Sequence, residues 1–223
     1  MTSKKNITLE LSILFIILII SFLFWDTYLL FPLKLSIVLL HELSHGITAI
    51  VTGGKIIGIN LGLDLSGKCE IDGGSSILIS ASGYLGSFTA GAMFVYATHN
   101  RIIGKWLLII TASTIFFLSV LYLKGGLMVF LSVLFSSFIF LSSFYLSNKI
   151  ISFIIKVFGF LSCVYVLFDI KEDNLTRTAA FSDASILSDQ LNISALIIGI
   201  TWLIISLGGI ILLLKICYFQ KSK

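Results

Sequence analysis

Read for its alternation of apolar and polar positions, the chain divides into long apolar runs separated by short islands of charge and glycine. The runs fall at about 9–30, 33–52, 77–97, 103–123, 126–147, 150–168 and 193–216. Each is close to the roughly 20 apolar residues that carry a helix across a bilayer core. Seven membrane helices are expected, or six, because only Lys124-Gly125-Gly126 parts the fourth and fifth runs and the sixth carries Lys156. Two islands are longer than turns. Between Gly53 and Ser76, Ile57, Ile59, Leu61, Leu63 and Leu65 alternate with Gly58, Asn60, Gly62 and Asp64, the period-2 pattern of a strand. Gly67 offers a turn and Cys69 to Ile71 a return arm, so a small hairpin is expected beside the second helix. The other island, 169–192, holds five of the chain's 11 acidic residues. The fold class is therefore an all-α polytopic membrane protein of six to seven transmembrane helices, with a β-hairpin-like insertion after the second. A single integral membrane domain over 1–223 is expected.

Composition sharpens this. Of 223 residues, 57% are apolar and 12% charged, with one proline and a mean hydropathy of +1.09. An average soluble domain is about 25% charged, so a soluble globular protein and a disordered one are both excluded. The net charge of +4 comes from scattered basic residues rather than one patch, so no nucleic-acid partner is expected. The basic residues of the loops divide seven against seven in a seven-span arrangement, which leaves orientation open. Cys69, Cys163 and Cys217 have neither the even count nor the spacing of a disulfide framework. Lys4 and Lys5 precede an apolar run with no small-residue cleavage pattern after it, which reads as a retained first span.

The candidate chemistry lies in the second run, at His41-Glu42-Leu43-Ser44-His45, between Pro32 and Gly53 and near mid-membrane. On a helix, residues i and i+4 lie one above the other, so His41 and His45 present two imidazoles to one metal ion, with Glu42 at the edge of that face. Neutral imidazole suits zinc, and a carboxylate beside a polarised water can take its proton. With three histidines and four glutamates in the chain, chance yields this motif roughly 0.001 times. A carboxylate at a helix centre costs about 2.5 kcal/mol or more on insertion scales, and such residues face functional interiors.

A catalytic zinc site takes three protein ligands and keeps one position open. His99, beside Asn100 and Arg101, reads as a solvated loop residue. The third ligand is then a carboxylate of the acidic island, since a buried carboxylate must be paired or bound to metal. Asp169, which ends the apolar run from Val157 to Phe168, is the first choice, and Asp183 the alternative. Glu172 and Asp173 adjoin Lys171 and read as solvated. In the third run Gly83, Ser87 and Gly91 recur at four-residue spacing, with Ser82, Gly86 and Ala90 on the adjoining line. Small residues at this spacing let helices approach closely, so the third helix is expected to pack on the second.

Together, the intramembrane H-E-x-x-H, the glycine-rich β-like segment, Ser82-Gly83-Tyr84-Leu85-Gly86 and a late aspartate resemble the site-2 protease superfamily of intramembrane zinc metallopeptidases. The closest likeness is to its small branch without a PDZ domain, for which the 24 residues from Gly53 to Ser76 are too few. The likeness covers Leu39 to about Ala97 well and Tyr165 to Leu187 more loosely. The late Leu-Asp-Gly of better-known members is replaced by Phe168-Asp169-Ile170, and the third span lacks the asparagine often found after its glycines. The resemblance implies one Zn2+ per chain, held by His41, His45 and an aspartate, with Glu42 as general base and acid. It also implies a zinc-site core of about 33–97 plus 165–192, and a multi-pass protein of a bacterial plasma membrane.

The expected activity is zinc-assisted hydrolysis of membrane-embedded or membrane-proximal peptide bonds, its partners a membrane protein or peptide substrate and the lipid bilayer. A helical substrate must unwind to expose its carbonyls. The alternating segment suggests an edge strand, with Ile59, Leu61 and Leu63, that holds an extended substrate by β-augmentation. The competing reading is a catalytically inactive zinc-binding membrane protein that acts as an interaction or regulatory partner. A transporter is disfavoured because no second half echoes Leu39 to Ala97.

Overall fold

The computed structural model describes residues 4–25, 27–175 and 182–219. Eight α-helices are described: α1 (Lys4–Phe24), α2 (Phe31–Val51), α3 (Ser76–Ala97), α4 (Arg101–Tyr122), α5 (Gly126–Tyr145), α6 (Asn148–Leu175), α7 (Asp183–Leu191) and α8 (Ala195–Leu214). Three strands, β1 (Lys55–Leu61), β2 (Gly67–Asp72) and β3 (Leu123–Lys124), form one small sheet. Six helices are long and apolar enough to cross a membrane: α2 with the 3-10 turn before it, α3, α4, α5, α6 and α8. The described apolar part of α1, Thr8–Phe24, is shorter.

Two helices form the centre. The apolar windows of α2 and α6 are 72% and 61% buried, against 33% or less for the other four. Small residues of α3 let both approach it. Gly83 and Gly86 face α2, where an added Cβ would meet the His41 and His45 rings or Ser44. Gly91 faces α6, where its Cβ would stand 2.5 Å from the Gly159 carbonyl oxygen. Ser162 of α6 donates to the Ser87 carbonyl at 2.8 Å. The four-residue spacing in α3 therefore serves two neighbours, the zinc-motif helix and α6, and not the former alone.

The hairpin forms as expected but ends earlier than the alternation suggests. β1 stops at Leu61 because Gly62 N–H bonds the Ser66 carbonyl, Asp64 accepts from Ser66, and Leu65 takes a left-handed φ of 61°. Leu63 thus lies in the turn, exposed, and Gly67 begins β2 rather than making the turn. β1 is also no edge strand over its second half. It pairs antiparallel with β2 and parallel with β3, at Ile59↔Leu123 and Asn60↔Lys124, so it is the middle strand. Ile59 and Leu61 are buried in the core. Of the expected edge residues Ile59, Leu61 and Leu63, Ile59 is therefore paired on both sides and Leu63 lies outside the strand. β3 comes from the Lys124-Gly125-Gly126 break, where Gly125 at φ 91° releases the chain into α5. Lys124 pairs there with Glu70 of β2, and Asn60 donates to the same carboxylate at 2.9 Å. The lysine beside Glu70 holds that carboxyl below the usual carboxylate range.

Candidate metal centre

One helix supplies most of the site. His41, Glu42 and His45 sit on α2 and are each 5–6% exposed. The His41 and His45 rings meet edge to face, with centroids 4.8 Å apart, as expected for i and i+4 positions on one helical face. His45 Nδ1 lies 2.7 Å from the carbonyl oxygen of Ile79 in the first turn of α3. A donated bond there fixes the ring and turns Nε2 toward the site, the outer support that metal-binding histidines use. His41 Nδ1 is buried and has no partner among the described residues. Tyr84 of α3 and Tyr165 of α6 pack edge-on to the His41 ring, each at 5.6 Å between centroids.

The third donor comes from α7. Ser182 caps this helix by accepting from the Ser185 N–H, which makes Asp183 its first residue. Ala184 and Leu187 are buried against Ala81, Ile198 and Trp202, so α7 is seated between α3 and α8. Gln190 also bonds Ser76 at the start of α3. Seated in this way, α7 holds Asp183 Oδ2 at 3.1 Å from His41 Nε2 and 3.1 Å from His45 Nε2. The three donor atoms lie within 4.8 Å of one another and could hold a metal ion.

Of the two aspartates anticipated, the structure brings Asp183 to the histidines and leaves Asp169 outside that group. Asp169 is fixed on α6, one turn beyond Tyr165, whose hydroxyl donates to its carboxylate at 2.9 Å. The same Tyr165 ring packs edge-on to His41. Residues 176–181 of the anticipated zinc-site core lie outside the described residues.

The donor set fits a small divalent ion. Four-coordinate zinc with bonds of about 2.0–2.2 Å separates its ligand atoms by roughly 3.4 Å, close to the 3.1 Å contacts here. The surrounding space is also kept clear. A Cβ on Gly83 would lie 2.5 Å from both His41 Nε2 and His45 Cε1. Glu42 is not among the three donors, and its carboxylate reaches the start of β2. A Cβ on Gly67 would meet its carboxylate, with Cδ at 2.7 Å. Sequence reasoning found the two histidines and Glu42 directly. It did not anticipate the Ile79 carbonyl, the Tyr165 pairing with Asp169, or the part of Gly67, none of which carries a local motif.

The Peptidase M50B-like family matches residues 14–213. The chain belongs to that family. The match spans most of the chain, includes the H-E-x-x-H helix and Asp183, and agrees with the resemblance to site-2 proteases. With six membrane-length apolar helices, this M50B-like chain is an integral, multi-pass membrane protein. No curated protein and no solved structure matches it.

Proposed function

We propose that this M50B-like protein is an intramembrane zinc endopeptidase that hydrolyses peptide bonds within or beside the bilayer. The observation that carries the reading is the placement of His41 Nε2 and His45 Nε2 at 3.1 Å from Asp183 Oδ2, inside a membrane-length helix that also bears Glu42. His41, His45 and Asp183 would hold the metal. Zinc held there would supply Lewis-acid chemistry toward the scissile carbonyl and the attacking water.

The remaining work falls to the chain's own groups. Glu42 accepts the proton of the attacking water at its carboxylate and returns it to the leaving amine. Its separation from the three donors suits that role, since a ligand carboxylate cannot shuttle a proton freely. Ile79 holds the His45 ring in the tautomer that presents Nε2. Burial of all three motif residues keeps lipid from the site, and the packed Tyr84 and Tyr165 rings restrict the motion of His41.

The sheet supports a reading of how a substrate is held. β2 is its terminal strand, paired on one side only, with β1. It begins at Gly67, against the Glu42 carboxylate. An extended peptide added along β2 has its backbone groups satisfied and arrives beside the general base. On this reading the pairing edge is β2 rather than β1.

The test is cleavage of a labelled single-span model peptide by the purified chain in proteoliposomes. Wild type cleaves it, and Glu42→Gln retains its zinc but loses at least about a hundredfold in rate, the scale of general-base contributions. Equal cleavage by both proteins would remove Glu42 from its role. Zinc binding by wild type with no cleavage of any membrane peptide would favour the inactive zinc-binding partner instead.

A further inference from the structure

Away from the metal centre, α2, α4, α5 and α6 border a partly open apolar cleft of about 290 Å³, lined by Leu33, Ala112, Ile115, Ile139, Val157 and Phe158 among others, with Phe138 and Phe153 exposed at its mouth. The polar side chains in its lining are the hydroxyl groups of Thr111 and Ser142 alone. No residue of the candidate site takes part. The walls of an unfilled apolar cleft forfeit dispersion contacts. Water gains little here, since a buried water needs two to four polar partners. An apolar cavity of about 150 Å³ takes up benzene or xenon. This one is nearly twice as large and sits among membrane-length helices, where the hydrocarbon at hand is the lipid acyl chain.

The charge near the cavity selects the lipid. Lys105 precedes the lining residue Leu108 by three residues on α4, and Lys149 precedes Phe153 by four on α6, so each lies one turn from the lining. The start of α4, the end of α5 and the start of α6 meet at one end of the bundle. There Lys105 Nζ stands 4.9 Å over the ring of Phe144, and two residues join α5 to α6. The sequence carries no Asp or Glu between Asp72 and Asp169, so α3, α4, α5 and most of α6 offer these lysines no carboxylate. Among the described residues neither lysine belongs to an ion pair.

We propose that this cavity holds one acyl chain of an anionic phospholipid, with its phosphate-bearing headgroup held by Lys105 and Lys149. The site is separate from the metal centre and does not depend on the peptidase reading. The lipid fills the cleft that four helices leave and ties the ends of α4 and α6 together through one headgroup.

Native mass spectrometry of the full chain in mild detergent tests this, with phosphatidylglycerol and phosphatidylcholine of matched chain length added in equal amounts. Wild type retains one phosphatidylglycerol in preference to phosphatidylcholine by on the order of tenfold, as two lysines near an anionic headgroup imply. The double variant Lys105→Ala/Lys149→Ala binds the two lipids equally. Ala112→Phe fills the cavity and lowers retention of both. Equal retention of the two lipids by wild type, or no retained lipid, overturns the proposal. So does a double variant that keeps the preference, and this arm stands even if Ala112→Phe fails to fold.

Discussion

Two glycines separate holding the metal from performing the reaction. A methyl group at Gly83 has no room beside His41 Nε2 and His45 Cε1, each 2.5 Å from the position it would take. Gly83→Ala is therefore expected to weaken zinc binding by about tenfold or more, through displacement of ligands that must keep tetrahedral geometry. Competition with a chromophoric chelator measures this, and unchanged affinity would contradict the cradle. Gly67→Ala acts first on Glu42, whose side chain supplies the three atoms nearest to the added Cβ. It is expected to keep wild-type zinc and lose cleavage of the model peptide. The motif residues were legible in the sequence because two imidazoles four apart on a helix have one geometric meaning. The choice between Asp169 and Asp183 was not, since apolar flanks report burial and say nothing about direction. The Tyr165 hydroxyl engages Asp169, and Asp183 stands beside both histidines, a juxtaposition that no local pattern encodes.

At the scale of elements, the membrane helices could be read because each must satisfy its own backbone hydrogen bonds in lipid, which forces long apolar runs. β3 and α7 could not. β3 is two residues long and exists through its pairing with β1 and the contact of Lys124 with Glu70. α7 is nine residues, too short to be stable alone, and gains its place from Ala184 and Leu187 packed on α3 and α8. This makes a prediction about α7. Leu187→Ala removes a buried anchor, a change that costs about 2–5 kcal/mol in a core. Its effect should fall on the docking of α7, so zinc affinity drops several-fold while the helical circular dichroism of the chain stays at the wild-type value. A variant that keeps full affinity would show that α7 is held by other contacts. The α3–α6 seam behaves differently, because Gly91 and Gly159 face each other with no space for a side chain. Gly159→Val should lower the stability of the whole bundle by about 1–3 kcal/mol, the usual cost of overpacking. Thermal unfolding in detergent reads that loss directly.

For the molecule as a whole, α2 and α6 stand inside the bundle and α3 binds them together. The sheet and α7 close on the half of α2 that bears the motif. Catalytic chemistry in a bilayer needs such an arrangement, because charged groups are costly in hydrocarbon unless they are paired or ligated. The fold brings a carboxylate to His41 from 142 residues along the chain. The measurement that bears most directly on this is the zinc content of the detergent-purified chain, by mass spectrometry, in wild type, Asp183→Ala and Asp169→Ala. The expected result is about one zinc per chain in wild type and in Asp169→Ala, with the metal lost from Asp183→Ala. A wild-type protein that holds no zinc in chelator-free buffer, or an Asp183→Ala variant that holds as much as wild type, would contradict the site.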